Sequence, residues 1–227
     1  FLLVPKGASV PTDVPSNIVV LQQPLNDVYL VSSAVMDLVS KAGALSHISF
    51  TGTKEKDWYV QEAADAMKAG TLTYAGKYSA PDYELLLSNN CQFAIENTMI
   101  SHTPEVKEQL EKFGVPVLTD HSSYEKNPLG RTEWVKLYGL LTGHEAQADK
   151  AFAEEKSAFE EVKNSVADEA DQEPKTVAFF YITSNGQANV RKSADYLPKM
   201  IELAGGKYIF NDLGTDEEGL STMNMGM

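Results

Sequence analysis

The chain is 227 residues long, enough for one large domain or two small lobes with real cores. Its composition, 43% hydrophobic and 22% charged, is that of a globular protein and excludes wholesale disorder. With 19 Lys and Arg against 32 Asp and Glu, the formal net charge of −13 disfavours phosphate backbones and anionic membranes, so no nucleic-acid partner is expected. A local pocket can still carry the opposite sign. Cys91 is the only cysteine, so no internal disulfide and no cysteine-ligated metal cluster can form.

The opening fragment FLLVP is too short for a signal h-region or a membrane span and reads as a strand cut into by processing. NIVVL (Asn17 to Leu21) is a strand, and a helix from Ser33 to Lys41 ends at Gly43. HISFTG is the next strand, with a helix following from about Trp58 to Met67. In SAPDYELLLSNN, Pro81 is expected at the first helical turn with Ser79 as cap. Strand QFAIENT, helix PEVKEQLEKFG and strand VPVLTD follow; in that helix Pro104 opens, Gly114 closes, and Val106, Leu110 and Phe113 form the apolar stripe. Strands alternating with helices predict an α/β fold with a parallel sheet and right-handed crossovers.

From Arg131 to about Ala170 only helical spacing is visible. Trp134, Leu137, Tyr138 and Leu141 form one stripe; Ala148, Phe152, Phe159, Val162 and Val166 form another after a break at Gly143. The longer stretch, HEAQADKAFAEEKSAFEEVKNSVADEA, spans roughly 40 Å if straight. A new strand, TVAFFYIT, then a loop, SNGQANVRKS, a helix, ADYLPKMIELAGG, and a short segment, YIFNDL, complete the pattern. The expected organisation is an α/β lobe over residues 1–130, connecting helices over 131–172 and the start of a second α/β lobe over 173–227. The ending STMNMGM, without cap or polar tail, suggests that sequence is missing there.

The string PDYELLLSNNCQFAIENT, a polar loop, and PEVKEQLEKFGVPVL together resemble the first lobe of the periplasmic binding proteins for ferric siderophores, haem and cobalamin. That family shows a P-x-x-E helix start, an apolar strand, a ligand loop and L-x-x-x-G-I-P-V. LGRTEWVKLYGLLTGHEAQADKAFAEE is similar to its entry into a backbone helix, and KMIELAGGKYIFNDLG to its second-lobe L-x-x-x-G-G-x-N-x-F. The resemblance covers roughly Asn17 to Leu213. It implies two Rossmann-like lobes joined by a long helix, a ligand held between them, and delivery to an ABC permease in the membrane. It also implies an extracellular place, either as a lipid-anchored lipoprotein or free in a periplasm; a monomer with no resident cofactor is expected. Glu84 matches the first-lobe glutamate that docks on the permease; in its own right it is a carboxylate in a helix's first turn.

Ligands of open α/β sheets sit beyond the carboxyl ends of the strands, which selects loops here without the family's help. After HISF come Trp58 and Tyr59, and after QFAI come Glu96, Asn97, Thr98, Met99 and His102. After VPVLTD come Ser123, Tyr124 and Arg131. Trp58, Tyr59, Tyr78 and Tyr124 offer rings to stack on a planar chelate, and His102 is a candidate axial ligand to a haem or cobalt centre. Asn185, Gln187, Asn189 and Arg191 alternate, so they share one side if extended, and their amides and guanidinium suit carboxylate or catecholate oxygens. The alternative for that segment is a surface hairpin.

Other functions find less support. No G-x-G-x-x-G, G-x-x-x-x-G-K-[ST] or G-x-S-x-G occurs, and the adjacency of His121, Ser122 and Ser123 is not a triad. A Zn or Mn binding protein shares the two-lobe design, yet needs several His and carboxylates converging, and His47 and His144 fall outside the strand-end loops. No catalytic or metal-ligating residues are assigned, and the expected activity is capture of an iron chelate, a ferric siderophore ahead of haem or corrinoid.

Overall fold

The computed structural model describes residues 1–168, 173–213 and 222–225. The chain divides into two compact units, Phe1–Ser123 with Glu133–Phe152, and Tyr124–Thr132 with Ala153–Met227.

The first unit begins with β1 (Leu2–Val4), paired parallel with β2 (Val20–Gln22) in a sheet of two. The expected strand at Asn17 to Leu21 is therefore shorter, shifted toward Gln22, and outside the main sheet. That main sheet holds β3 (Val28–Leu30), β4 (Ile48–Thr51), β5 (Thr73–Tyr74), β8 (Phe93–Glu96) and β9 (Val117–Thr119), in the order β5-β4-β3-β8-β9. Every pairing within it is parallel. A small antiparallel ribbon, β6 (Gly76–Lys77) with β7 (Ala80–Pro81), follows β5.

Alternation along the strands sorts side chains into two layers, except in β4, where a register shift against β3 between Val28 and Tyr29 lets Ile48 and Phe50, two residues apart, face opposite layers. Val28, Leu30, Ile48, Phe93 and Ile95 face one core with α1 (Ser33–Lys41), α2 (Gln61–Lys68), α6 (Val135–Thr142) and the start of α7 (Glu145–Asp168). Tyr29, Val31, Phe50, Ala94 and Val117 face the other, under α3 (Tyr83–Ser88) and α4 (Pro104–Lys112). A strand buried on both faces reads as a continuous apolar run, which is the form of VYLV around β3. Each fully buried Leu or Phe here contributes about 1.5–3 kcal/mol.

The helix starts follow local chemistry. Pro104 is the first residue of α4, as its missing N–H allows. The start of α3 differs from expectation. Asp82, not Ser79, is the cap, its Oδ1 accepting the Leu85 N–H at 3.0 Å, while Pro81 is extended in β7. A carboxylate facing the helix's exposed N–H groups stabilises it by about 1 kcal/mol, and proline is at home on a short edge strand. Gly143 breaks α6 from α7 as expected, closing α6 in the left-handed region at φ +76°. The last residues of the expected long helix, at 169–170, lie outside the described residues.

The second unit contains α5 (Pro128–Glu133), the later part of α7, and α8 (Tyr196–Leu203). Its strands form two sheets. β10 (Thr176–Val177) pairs parallel with β13 (Lys207–Tyr208), whereas β11 (Phe180–Ile182), β12 (Ala188–Arg191) and β14 (Thr222–Met225) are antiparallel. TVAFFYIT, expected as one strand, is thus two strands with different partners. Phe180, Tyr181 and Ile182 are all about half exposed.

Candidate functional site

The carboxyl ends of the first unit's parallel strands release the loops selected above. Trp58 and Tyr59 follow a 3-10 turn, Glu55–Asp57, beyond β4. Tyr59 is fully exposed, while Trp58 packs partly on the first core and its Nε1 is buried without a hydrogen-bond partner. Tyr78, in the turn between β6 and β7, is half-buried against the second core. That turn depends on Gly76, at φ +86°, whose added Cβ would stand 2.3 Å from the Ala80 carbonyl oxygen. The same glycine's carbonyl accepts the Tyr29 hydroxyl at 2.8 Å.

Beyond β8, Asn97 caps a 3-10 turn at Thr98–His102, its Oδ1 accepting the Met99 N–H at 2.9 Å. Met99 and His102 are exposed and Thr98 is half-buried. Glu96 behaves differently. It is the last residue of β8 and wholly buried, with neither carboxyl oxygen hydrogen-bonded. Alternation after Ala94 turns it into the layer under α3 and α4. Burial in that apolar layer raises its carboxyl to about 8, so it is mostly neutral at pH 7. The phenols of Tyr29 and Tyr83 are also pushed up, chiefly by burial, with the charge of Glu96 adding to the effect.

Sequence reasoning missed what holds the end of β9. Asp120 is buried; its Oδ1 accepts the Tyr138 hydroxyl at 2.7 Å and the Ser122 N–H at 3.1 Å, and its Oδ2 accepts the Ser122 hydroxyl at 3.0 Å. Its own N–H donates to the Glu96 carbonyl at 2.7 Å, tying the β8 and β9 ends together. The signal available was the pair Thr119-Asp120 closing an apolar strand. Ser123 is exposed beside this clasp, and Glu84 is exposed in the first turn of α3.

In the second unit, Tyr124 is exposed and Arg131 half-buried. The Arg131 guanidinium carbon lies 3.5 Å from the Tyr196 ring centroid, and its Nε donates to the Glu125 carbonyl at 3.1 Å. Asn185 and Gln187 do not continue a straight row of amides. They sit at the tight end of a β11–β12 hairpin, where Asn185 Nδ2 donates to Gln187 Oε1 at 3.0 Å and Thr183 Oγ1 donates to Asn185. Antiparallel pairing, with its two-strand turn, replaces the extended loop. Asn189 and Arg191 lie within β12, half-buried, and Arg191 Nη1 meets Asp195 Oδ2 at 3.4 Å. Tyr196 and Asp195 were not among the expected site residues.

Among the described residues no group of three or more His, Cys, Asp or Glu is placed to hold a metal ion. Nor, among them, is any helix long and apolar enough to cross a membrane.

No protein-family model matches the chain. An uncharacterised lipoprotein of Methanocaldococcus jannaschii is 25% identical over 226 residues, covering 94% of this chain and 53% of that protein. A second lipoprotein of the same organism is 29% identical over 109 residues, 47% of this chain and 28% of its own length. The chain thus spans about half, or less, of the curated relatives it matches. Among solved structures, a possible iron-binding (periplasmic solute-binding) protein of Staphylococcus epidermidis superposes with a TM-score of 0.66 at 17% identity, over 88% of this chain and 70% of that one. A siderophore-binding protein of Vibrio cholerae, bound to Fe3+-Desferal, gives 0.65 at 14% identity over 88% and 72%. The periplasmic haem-binding protein of Vibrio cholerae gives 0.62 at 18% identity over 88% and 70%. The chain has the two-lobe α/β fold of the periplasmic solute-binding proteins.

Proposed function

We propose that this chain is the solute-capturing component of an ABC importer and binds an iron chelate, a ferric siderophore ahead of haem or a corrinoid, without turning it over. The observation that carries this reading is the fold likeness to three binding proteins whose solutes are described as iron, a ferric siderophore and haem. In the first unit Trp58, Tyr59, Thr98, Met99 and His102 supply rings, a thioether and polar groups to the solute from the strand-end loops. In the second, Tyr124, Arg131, Asn189 and Arg191 supply an aromatic face, an amide and positive charge. Within an acidic chain those two arginines favour an anionic chelate.

Exposed Glu84, at the start of α3, docks on an arginine of the permease. The chain works as a monomer outside the cytoplasmic membrane, anchored as a lipoprotein or free in a periplasm; the naming of both curated relatives as lipoproteins supports this placement.

The test is the visible spectrum of the purified protein, followed by thermal-shift measurements with ferric siderophores, haem and cobalamin. A ligand at about 100 times its Kd adds about 2.7 kcal/mol, roughly 5–11 °C in Tm for a chain of this size. Flat melting curves with every chelate, or turnover of a solute, would overturn the reading.

A further inference from the structure

Among the cation–ring contacts, Arg131 over Tyr196 at 3.5 Å is closer than Lys136 over Phe152 at 4.5 Å or Lys54 over Tyr74 at 5.7 Å. A guanidinium carbon that near a centroid lies flat on the ring, an arrangement open to arginine and not to lysine. A second restraint acts in the guanidinium plane, where Nε donates to the Glu125 carbonyl. Together they set both the tilt and the heading of the group.

Each restraint is anchored. Glu125 precedes α5, whose start is closed by Asn127: its Oδ1 accepts the Leu129 N–H at 2.9 Å and its carbonyl the Arg131 N–H at 3.2 Å. Tyr196 is the first residue of α8, directly after buried Asp195. Asp195 Oδ1 caps the helix through the Leu197 N–H at 3.0 Å, and its Oδ2 meets Arg191. One helix start therefore orders two arginines, Arg131 through the ring of Tyr196 and Arg191 through the carboxylate of Asp195. The Arg191 backbone is held in turn by the Tyr208 hydroxyl, which accepts its N–H at 3.0 Å and donates to its carbonyl at 2.8 Å.

An arginine whose plane is set before binding loses little freedom when it takes a planar acidic group. We infer that Tyr196 is a positioning residue that presents the Arg131 guanidinium to the acidic oxygens of the solute, so that the second unit selects chelates bearing carboxylate or phenolate groups over uncharged ones. This rests on the solute-binding reading above and names the chemical class of its ligand.

The test uses the full chain with a ferric tris-catecholate and an uncharged ferric trihydroxamate, read by intrinsic-fluorescence quenching. Tyr196→Leu weakens the tris-catecholate about tenfold and leaves the trihydroxamate within about twofold, while Tyr196→Phe keeps both affinities because the ring remains. In 1H–15N spectra the Arg131 Nε–Hε signal, shifted by the ring current in the parent and in Tyr196→Phe, moves back in Tyr196→Leu. Equal losses for both chelates, no loss for the tris-catecholate, or binding of the trihydroxamate alone would overturn the inference and leave solute binding standing. A parent chain that binds neither chelate overturns this inference, and one that also binds neither haem nor cobalamin overturns the solute-binding reading with it.

Discussion

Replacing Glu96 by Gln removes a proton-binding group from the apolar layer under α3 and α4 while keeping its shape. In the folded chain the carboxyl is raised from 4.5 to about 8 by burial. Between those two pH values the folded chain keeps a proton that the unfolded chain has released. Stability therefore falls as pH rises through this window and levels off above pH 8, by about 1.4 kcal/mol per pH unit from this group. The whole window is worth about 4–5 kcal/mol. Glutamine has no such slope, so the stability of Glu96→Gln relative to the parent should improve by roughly 2–3 kcal/mol between pH 5.5 and pH 7.5. Urea unfolding at both pH values measures the difference. Both tryptophans, Trp58 and Trp134, lie in the first unit, so their fluorescence follows the unit that contains Glu96. A parent-to-variant gap that stays constant across the two pH values would refute a neutral, unpaired carboxyl at this position.

Three further outcomes test the same unit. Gly76→Ala should cost at least about 2 kcal/mol, because a positive φ is joined to a hard contact with the Ala80 carbonyl; Gly70→Ala, at φ +75° with open space around it, should cost about 1 kcal/mol in the same denaturation assay. Tyr138→Phe deletes the 2.7 Å bond to buried Asp120 and should lower stability by about 1–3 kcal/mol, with Asp120→Asn in a double-mutant cycle reporting the coupling. Cys91, buried with its thiol pushed up to about 11, should resist alkylation at pH 8 in the folded chain and react promptly in urea, as thiol-labelling mass spectrometry would show.

What was legible in the sequence was local. The helices Ser33–Lys41 and Pro104–Lys112 carry their own signals, a first-turn proline opening the second and glycines free to adopt positive φ after both. Their apolar stripes are local, although Phe113, expected in the second stripe, lies past the helix end and is exposed. The parallel α/β character and the strand-end loops follow from the same local alternation. Strand identity at the centre was harder. Val28–Leu30 has only three residues, all buried, so no alternation marks it, although it pairs with strands on both sides.

Pairing and burial were decided only by tertiary structure, because both depend on residues far away in the chain. TVAFFYIT divides because Thr176–Val177 finds Lys207–Tyr208 while Phe180–Ile182 finds Ala188–Arg191. The amide row at Asn185–Arg191 turned into a hairpin for the same reason. Glu96 could be seen to stand at a strand end, but only the packing of α3 and α4 over Tyr29 and Ala94 turned its carboxyl away from water. The stack of Tyr196 on Arg131, residues 65 positions apart, leaves no trace in composition or spacing: sequence order constrains neighbours along the backbone, and this contact exists only once α5 and α8 have folded against each other.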